Sequence, residues 1–321
     1  MEPASLGFQG CRISSLFHRK HMKQQHRSKL EEASRKDLMV FLSLWVLSLV
    51  VFWYGPILYT FILGFTKHRL GGGGSFIGFG NYVKIFHDPY FWNGLKTTFL
   101  FTVLYVPLNF VIGLFTAYLM RMKIRLKGLW RTLIYLPSVL PTIAVLVLGK
   151  FVFYPNGIVN TFLEFLHIPC PLWIANPHLI IITSVLLMVW QCGTGMVVYL
   201  GALQGVPDTY YEAARIDGLS SFRQFFVITI PMISPTIQFR FIMDFIFGVM
   251  IFIPALILPE GGVAGGPGVS SRFFALHIYE KAFQRFQIGE ASALATVMIL
   301  ICVILTFVIL KLTDKHIYYE V

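Results

Sequence analysis

Met39–Thr66, Thr97–Met120 and Ala291–Leu310 each run for twenty residues or more without a charged side chain. A helix of about 20 mostly apolar residues crosses the hydrocarbon core of a bilayer, where every backbone polar group must be satisfied within the protein. Three more stretches meet the same requirement. Thr132–Gly149 is uncharged up to Lys150, His178–Leu203 is uncharged, and Met232–Leu258 is apolar apart from Arg240 and Asp244. The pattern predicts an all-α integral membrane protein with six transmembrane helices and both termini on one side. Charged residues make up 13% of the chain, against about 25% in soluble domains.

The net charge of +11 is not read as a nucleic-acid footprint, because of where the charge lies. Eight Lys/Arg occur within residues 1–36, five within Arg121–Arg131, and Lys311 and Lys315 follow the last span, whereas 155–177 has none. Basic residues are retained on the cytoplasmic side of membrane proteins. The bias therefore places both termini in the cytoplasm, although Lys67, Arg69, Lys84, Lys96, Arg272, Lys281 and Arg285 fall on the outward side. Residues 1–37 read as a basic cytoplasmic segment, 38–315 as the six-span body and 316–321 as a cytoplasmic tail. Met39–Thr66 is too long for a signal-peptide core and lacks an A-x-A site, so it reads as a retained span. The four cysteines are scattered without metal spacing.

Gly71–Gly74 marks an outward loop, and the aromatics from Phe76 to Trp92 fit an interfacial belt on a surface helix. Pro107, Pro137, Pro141, Pro235 and Pro254 fall within predicted spans and should kink them. Loop 155–177 has four prolines, rigid turns suited to an exposed outward surface. Gly201 and Gly205 form a G-x-x-x-G, a spacing that allows close helix approach.

Between the fourth and fifth spans lies a polar loop, 204–231, which the topology makes cytoplasmic. It reads Glu212-Ala213-Ala214-Arg215-Ile216-Asp217-Gly218, nine residues, then Ile228-Thr229-Ile230-Pro231. Asp208 is a suitable N-cap. Tyr211, Ala214 and Ile216 can give a short helix one apolar side, and Gly218 can end it in the left-handed conformation. The block resembles the EAA loop of ATP-binding cassette (ABC) importer permeases, E-A-A-x-x-x-G, nine residues, I-x-L-P, with Ile230 replacing the usual Leu. Further strings resemble the carbohydrate-uptake branch of that family: Gly78-Phe-Gly-Asn-Tyr82, Asp88-Pro-Tyr-Phe-Trp92, Arg131-Thr-Leu-Ile-Tyr-Leu-Pro137, Leu203-Gln-Gly-Val-Pro207 and Ile278-Tyr-Glu-Lys-Ala-Phe283. The resemblance covers about residues 37–315. It implies the type I ABC importer permease fold, with Glu212, Ala213, Ala214, Asp217 and Gly218 docking an ATPase. It further implies a second homologous permease, two ATPase subunits, an extracytoplasmic solute-binding protein, and a sugar, polyol or sugar phosphate as cargo.

No constellation for bond chemistry stands out. Gly94-Leu-Lys-Thr-Thr98 lacks the glycine that a phosphate-binding loop needs before its lysine, and no cofactor or metal is expected. Glu164, Glu260, Glu280 and Glu290 read as solvated or interfacial. Arg240 and Asp244, one helical turn apart in the fifth span, share a face and can pair. Buried charges of this kind border a translocation path or hold helices together, and the sequence leaves both open. Gln238, Trp190, Gln191, Thr194 and Tyr199 are further path candidates, while Met250–Leu256 is almost wholly apolar. The alternative reading is an ion-coupled secondary transporter built around Arg240 and Asp244.

Overall fold

The computed structural model describes residues 37–69, 71–122, 124–259 and 264–314. The expectations for residues 1–36, Glu260 and 315–321 lie outside the described residues. Apart from a two-residue antiparallel ladder, β1 (Thr66–Lys67) with β2 (Ser75–Phe76), the regular structure described is helical. The chain divides into two compact units at Tyr59, and the first described helix, α1 (Asp37–Leu63), runs across that division. Its apolar window is exposed along its length, a surface suited to hydrocarbon. Within it Val50–Tyr54 form a π-helical turn, in which the Gly55 N–H bonds Val50 O. Pro56 has no N–H to continue the α-helical ladder, and the widened turn sits just before it.

The second unit is organised on α3 (Pro89–Arg121), a 33-residue helix. Asp88 caps it by accepting from the Tyr90 N–H at 3.0 Å, and it continues through Pro107. Ahead of it lies the short α2 (Gly80–Phe86), so Tyr90, Phe91 and Trp92 open the long helix and do not belong to a separate surface helix. Beyond it come α4 (Lys127–Val139), α5 (Thr142–Val152), α6 (Ile158–Phe165), α7 (Leu179–Trp190) and α8 (Gly193–Gly205). The cytoplasmic loop holds α9 (Asp208–Ile216) and α10 (Ser221–Gln224); α11 (Ser234–Met250), α12 (Ile253–Ile257), α13 (Phe274–Tyr279) and α14 (Ile288–Thr313) follow. Among the described residues, α1, α3, α14 and the Ser234–Ile257 segment are long and apolar enough to cross a membrane. The pairs α4–α5 and α7–α8 bring the number to six when each counts as one span.

Those two spans are not the straight helices that their apolar runs predict. Helices α4 and α5 meet at 100°, and α7 and α8 at 48°. Leu140 adopts extended backbone, as expected of a residue before proline, and Pro141 then opens α5. At the break Pro137 O loses its α-helical donor and keeps only the Leu140 N–H at 3.3 Å. Gln191, at the second break, donates its side-chain amide to Pro137 O and Leu140 O, each at 3.1 Å. The two breaks therefore face each other. Gly193 permits the approach, since a Cβ there would stand 2.8 Å from Ile134 O and Tyr135 Cα.

Elsewhere the proline expectations need correction. Pro235 and Pro254 lie in the first turns of α11 and α12, where no intrahelical donor is missed, and the fifth span is instead interrupted at Ile251–Phe252. Gly201 and Gly205 have no described atom within 4 Å of a built Cβ, so their spacing brings no helix of this unit close.

Helix α3 packs against α7, α8, α11 and α13, and the buried apolar residues fall into clusters along it. One gathers Phe101, Tyr105, Leu146, Val185, Met188, Leu258, Phe273 and Leu276. A second, at the end bearing the 204–231 loop, contains Leu114, Ala117, Met120, Met196, Tyr199, Leu203 and Ile233. Overfilling such packing costs about 1–3 kcal/mol. Gly193→Val should therefore lower the thermal unfolding midpoint of the detergent-solubilised protein, whereas Gly201→Val should leave it unchanged. Equal effects would contradict the facing-break geometry.

Candidate functional site

The loop helix α9 follows extended Val206 and Pro207. Pro207 occupies the cap position and Asp208 is the first helical residue, so Asp208 is not the N-cap. Its carboxylate still suits the positive end of the helix, and it lies 3.5 Å from Arg121 Nη2 at the foot of α3. The C-terminal end matches expectation. Gly218 has φ +74°, the Leu219 N–H bonds Ala214 O at 2.9 Å, and the Gly218 N–H bonds Arg215 O at 3.1 Å. This pair of bonds closes a helix at a left-handed residue. No atom lies within 4 Å of a Cβ built on Gly218, so backbone conformation, not space, favours glycine there.

Glu212, Ala213, Asp217 and Gly218 are exposed, while Ala214 turns inward and is buried. Ile216, expected on the apolar inner side, is 87% exposed and projects from the same outer face. Behind the helix is an open cleft of about 540 Å³, lined among others by Tyr118, Arg121, Glu212, Arg215 and Phe225.

The charge pair of the fifth span is formed. Arg240 Nη2 donates to Asp244 Oδ1 at 2.7 Å, and Asn109 Nδ2 of α3 donates to Asp244 Oδ2 at 3.1 Å. The Arg240 and Asp244 side chains are 14% and 6% exposed. Gly195 of α8 leaves room for the guanidinium, since a Cβ there would stand 3.3 Å from Arg240 Nη2. Tyr199 is buried against Gly113 and Phe110 on the same side. The pair thus joins α3, α8 and α11 from within. The other path candidates disperse: Gln238 Nε2 donates to Thr313 Oγ1 of α14 at 2.6 Å, Gln191 serves the helix break, and Trp190 and Thr194 are exposed.

Residues 109–318, well over half of the chain, match the family described as binding-protein-dependent transport system inner membrane component. The chain belongs to that family. It is 34% identical over 298 residues to a probable ABC transporter permease protein, YesP, of Bacillus subtilis, covering 91% of this chain and 96% of that one. The lactose transport system permease protein LacF of Rhizobium radiobacter is 35% identical over 263 residues, covering 80% and 87%. The fold is shared with the crystal structure of a bacterial ABC transporter involved in import of the acidic polysaccharide alginate. That likeness has a TM-score of 0.74 at 19% identity and covers 89% of this chain and 99% of that one. The protein is a multi-pass transmembrane permease subunit of an ABC importer, a transport component and not an enzyme.

On the side of the permease opposite the loop helix, the sequence reading missed a second polar cluster. Glu280 and Glu290, expected to be solvated or interfacial, are buried. Arg272 pairs with Glu280 and lies over the Tyr90 ring, 4.3 Å from its centroid. Lys281 reaches Glu290 at 2.7 Å and Asp88 at 3.7 Å, and Lys84 also pairs with Glu290. Three acids thus balance three bases across α2, the start of α3, the α13 segment and the start of α14. His277, 1% exposed, stands with Nε2 3.4 Å from Asp88 Oδ2. Burial, reinforced by Lys281, Arg272 and Arg285 and opposed by Asp88, pushes its pKa down from 6.5 to about 4.

Two outcomes follow for the permease. Removing one partner of a buried ion pair costs about 3–5 kcal/mol, while replacing both by apolar residues is often neutral. Asp244→Ala should lower the unfolding midpoint strongly, and Arg240→Met with Asp244→Leu should recover most of it. Transport restored along with stability would make the pair a structural pin, whereas stability without transport would place it on the path. For His277, the unfolded chain binds a proton between pH 6.5 and 4 and the folded one does not. Its neutral burial therefore contributes fully above 6.5 and is lost as pH falls through that window. The stability gap between wild type and His277→Asn should narrow from about pH 7 to about pH 4.5, read as unfolding midpoints; a constant gap would refute the neutral assignment.

Proposed function

We propose that this permease pairs with a second, homologous permease to form the path for a sugar, polyol or sugar phosphate delivered by an extracytoplasmic solute-binding protein. Two ATPase subunits dock on the cytoplasmic loops, with Glu212, Ala213, Asp217 and Gly218 of this chain at the contact and Ala214 backing it from within. Both termini are cytoplasmic, following the distribution of Lys and Arg. The observation that carries the reading is the exposed face of α9, a short helix held outside the apolar body by the Gly218 turn. Support for the cargo class comes from relatives named for lactose, sulfoquinovosyl glycerol and sn-glycerol-3-phosphate transport. A solved neighbour of the same fold is in complex with an alginate pentasaccharide-bound periplasmic protein.

In this reading ATP draws the ATPase pair together, α9 carries that movement into the spans, and the path opens outward to accept solute. Hydrolysis then resets the inward-facing state. Arg240 and Asp244 act as a pin among α3, α8 and α11, which leaves an ion-coupled mechanism without its carrier.

Copurification from membranes tests the docking assignment. Asp is among the few residues that tolerate left-handed backbone, so Gly218→Asp alters the loop surface more than its fold. Wild-type permease should retain both the ATPase and the partner permease, and Gly218→Asp should lose the ATPase while keeping the partner permease. Unchanged ATPase recovery would move docking elsewhere.

A further inference from the structure

Apolar burial barely anchors α9: Ala214 is the only buried residue in it, and the open cleft lies behind it. Polar ties join it to the body. Arg121, the last residue of α3, donates Nη1 to Tyr211 Oη at 2.7 Å and lies 4.6 Å from the centre of the Tyr211 ring. The Tyr211 hydroxyl also shares a hydrogen bond with Thr229 Oγ1 at 2.8 Å. Thr229 is 1% exposed and closes a π-helical turn, Phe225–Thr229, at the foot of the fifth span. Its carbonyl accepts from the Ile233 N–H, so it is built into the backbone that leads into α11. A second tie, Gln224 Nε2 to Leu219 O at 2.8 Å, holds the chain just after Gly218 to the same foot.

We infer that Tyr211 is the positioning residue through which movement of α9 reaches the membrane spans, pulling on the second span through Arg121 and on the fifth through Thr229. The inference rests on α9 being the ATPase-docking helix. One hydroxyl joins three elements, whereas the apolar footing of α9 is confined to Ala214 and the Tyr211 ring, which Tyr211→Phe leaves in place. A π-helical turn carries one residue more than an α-helical turn and is found at functional sites. Here it lies where a displacement of Thr229 would enter α11.

The experiment uses the complete transporter and ATP alone as the probe, so no solute has to be known. Spin labels are placed on cysteines at exposed Phe115 of α3 and Phe239 of α11, with the native cysteines changed to serine. The distance between labels is measured without nucleotide and with ATP trapped by vanadate. Wild type should show a nucleotide-dependent shift. Tyr211→Phe keeps the ring and removes the hydroxyl; it should retain the ATPase on copurification and keep its unfolding midpoint, yet lose the shift. Thr229→Val should lose it too, and Thr229→Ser should restore it. A wild-type shift in Tyr211→Phe, with the ATPase bound, would overturn the inference while leaving the docking assignment intact. Failure of the wild type to hold an ATPase would overturn both.

Discussion

A carbonyl that loses its helical donor inside a bilayer has to find another, because no water is there to replace it. The third span meets this condition at Pro141, where the chain turns by 100°. Gln191 answers it from the neighbouring span with two amide hydrogen bonds. That single side chain fixes which break faces which, and the close approach at Gly193 follows. With these two spans locked together at their bends, α8 is left packed along α3, and α3 becomes the post on which α7, α8, α11 and α13 are arranged. A side chain that looks on paper like a polar candidate for solute is thereby committed to the backbone of its own protein.

The same accounting governs the charges. Arg240 and Asp244 are acceptable in a span because they meet each other and because Asn109 supplies a second donor to the carboxylate. At the opposite end from α9, Asp88, Glu280 and Glu290 pair with Lys84, Lys281 and Arg272, and burial, reinforced by Lys281, Arg272 and Arg285, keeps the pKa of His277 low beside them. Charged groups here join helices whose apolar faces are already turned to lipid. Between helices in hydrocarbon the hydrophobic effect supplies little attraction, so packing and polar contacts have to do it. The outward-side basic residues that weaken a simple positive-inside reading include Lys84, Lys281 and Arg272, each paired with a carboxylate.

The spans, the loop helix and its Gly218 terminus were legible in the sequence because each depends on local chemistry: uncharged length, and a residue able to adopt positive φ. The bends were visible only as prolines. Pro141 broke its helix while Pro107 did not, and Pro235 and Pro254 proved to start helices. The Gln191 amide that meets the carbonyls at the Pro141 break comes from another span, and that is not local information. Asn109 was missed for the same reason, since an asparagine in an apolar run gives no sign of the Asp244 it meets 135 positions later. The burial of Glu290 was hidden likewise, because Lys84 meets it from 206 positions away; Glu280 and Arg272 lie only eight positions apart, but their spacing does not show that the segment folds inward.

The loop helix obeys a different requirement from the spans. A segment that must present an outer face to another subunit cannot bury both sides, and α9 exposes Glu212, Ala213, Ile216 and Asp217 while burying little more than Ala214. A small apolar footing would leave such a helix free to rock. Hydrogen bonds are directional in a way that apolar contact is not, so ties at Tyr211 and Gln224 hold orientation as well as position. Their anchor points are Arg121, the last residue of α3, and Thr229, in the helical turns that lead into α11. Displacement of α9 therefore enters α3 and the fifth span at their ends, where a helix can tilt as a rigid rod without breaking the interior bonds that keep it in the membrane.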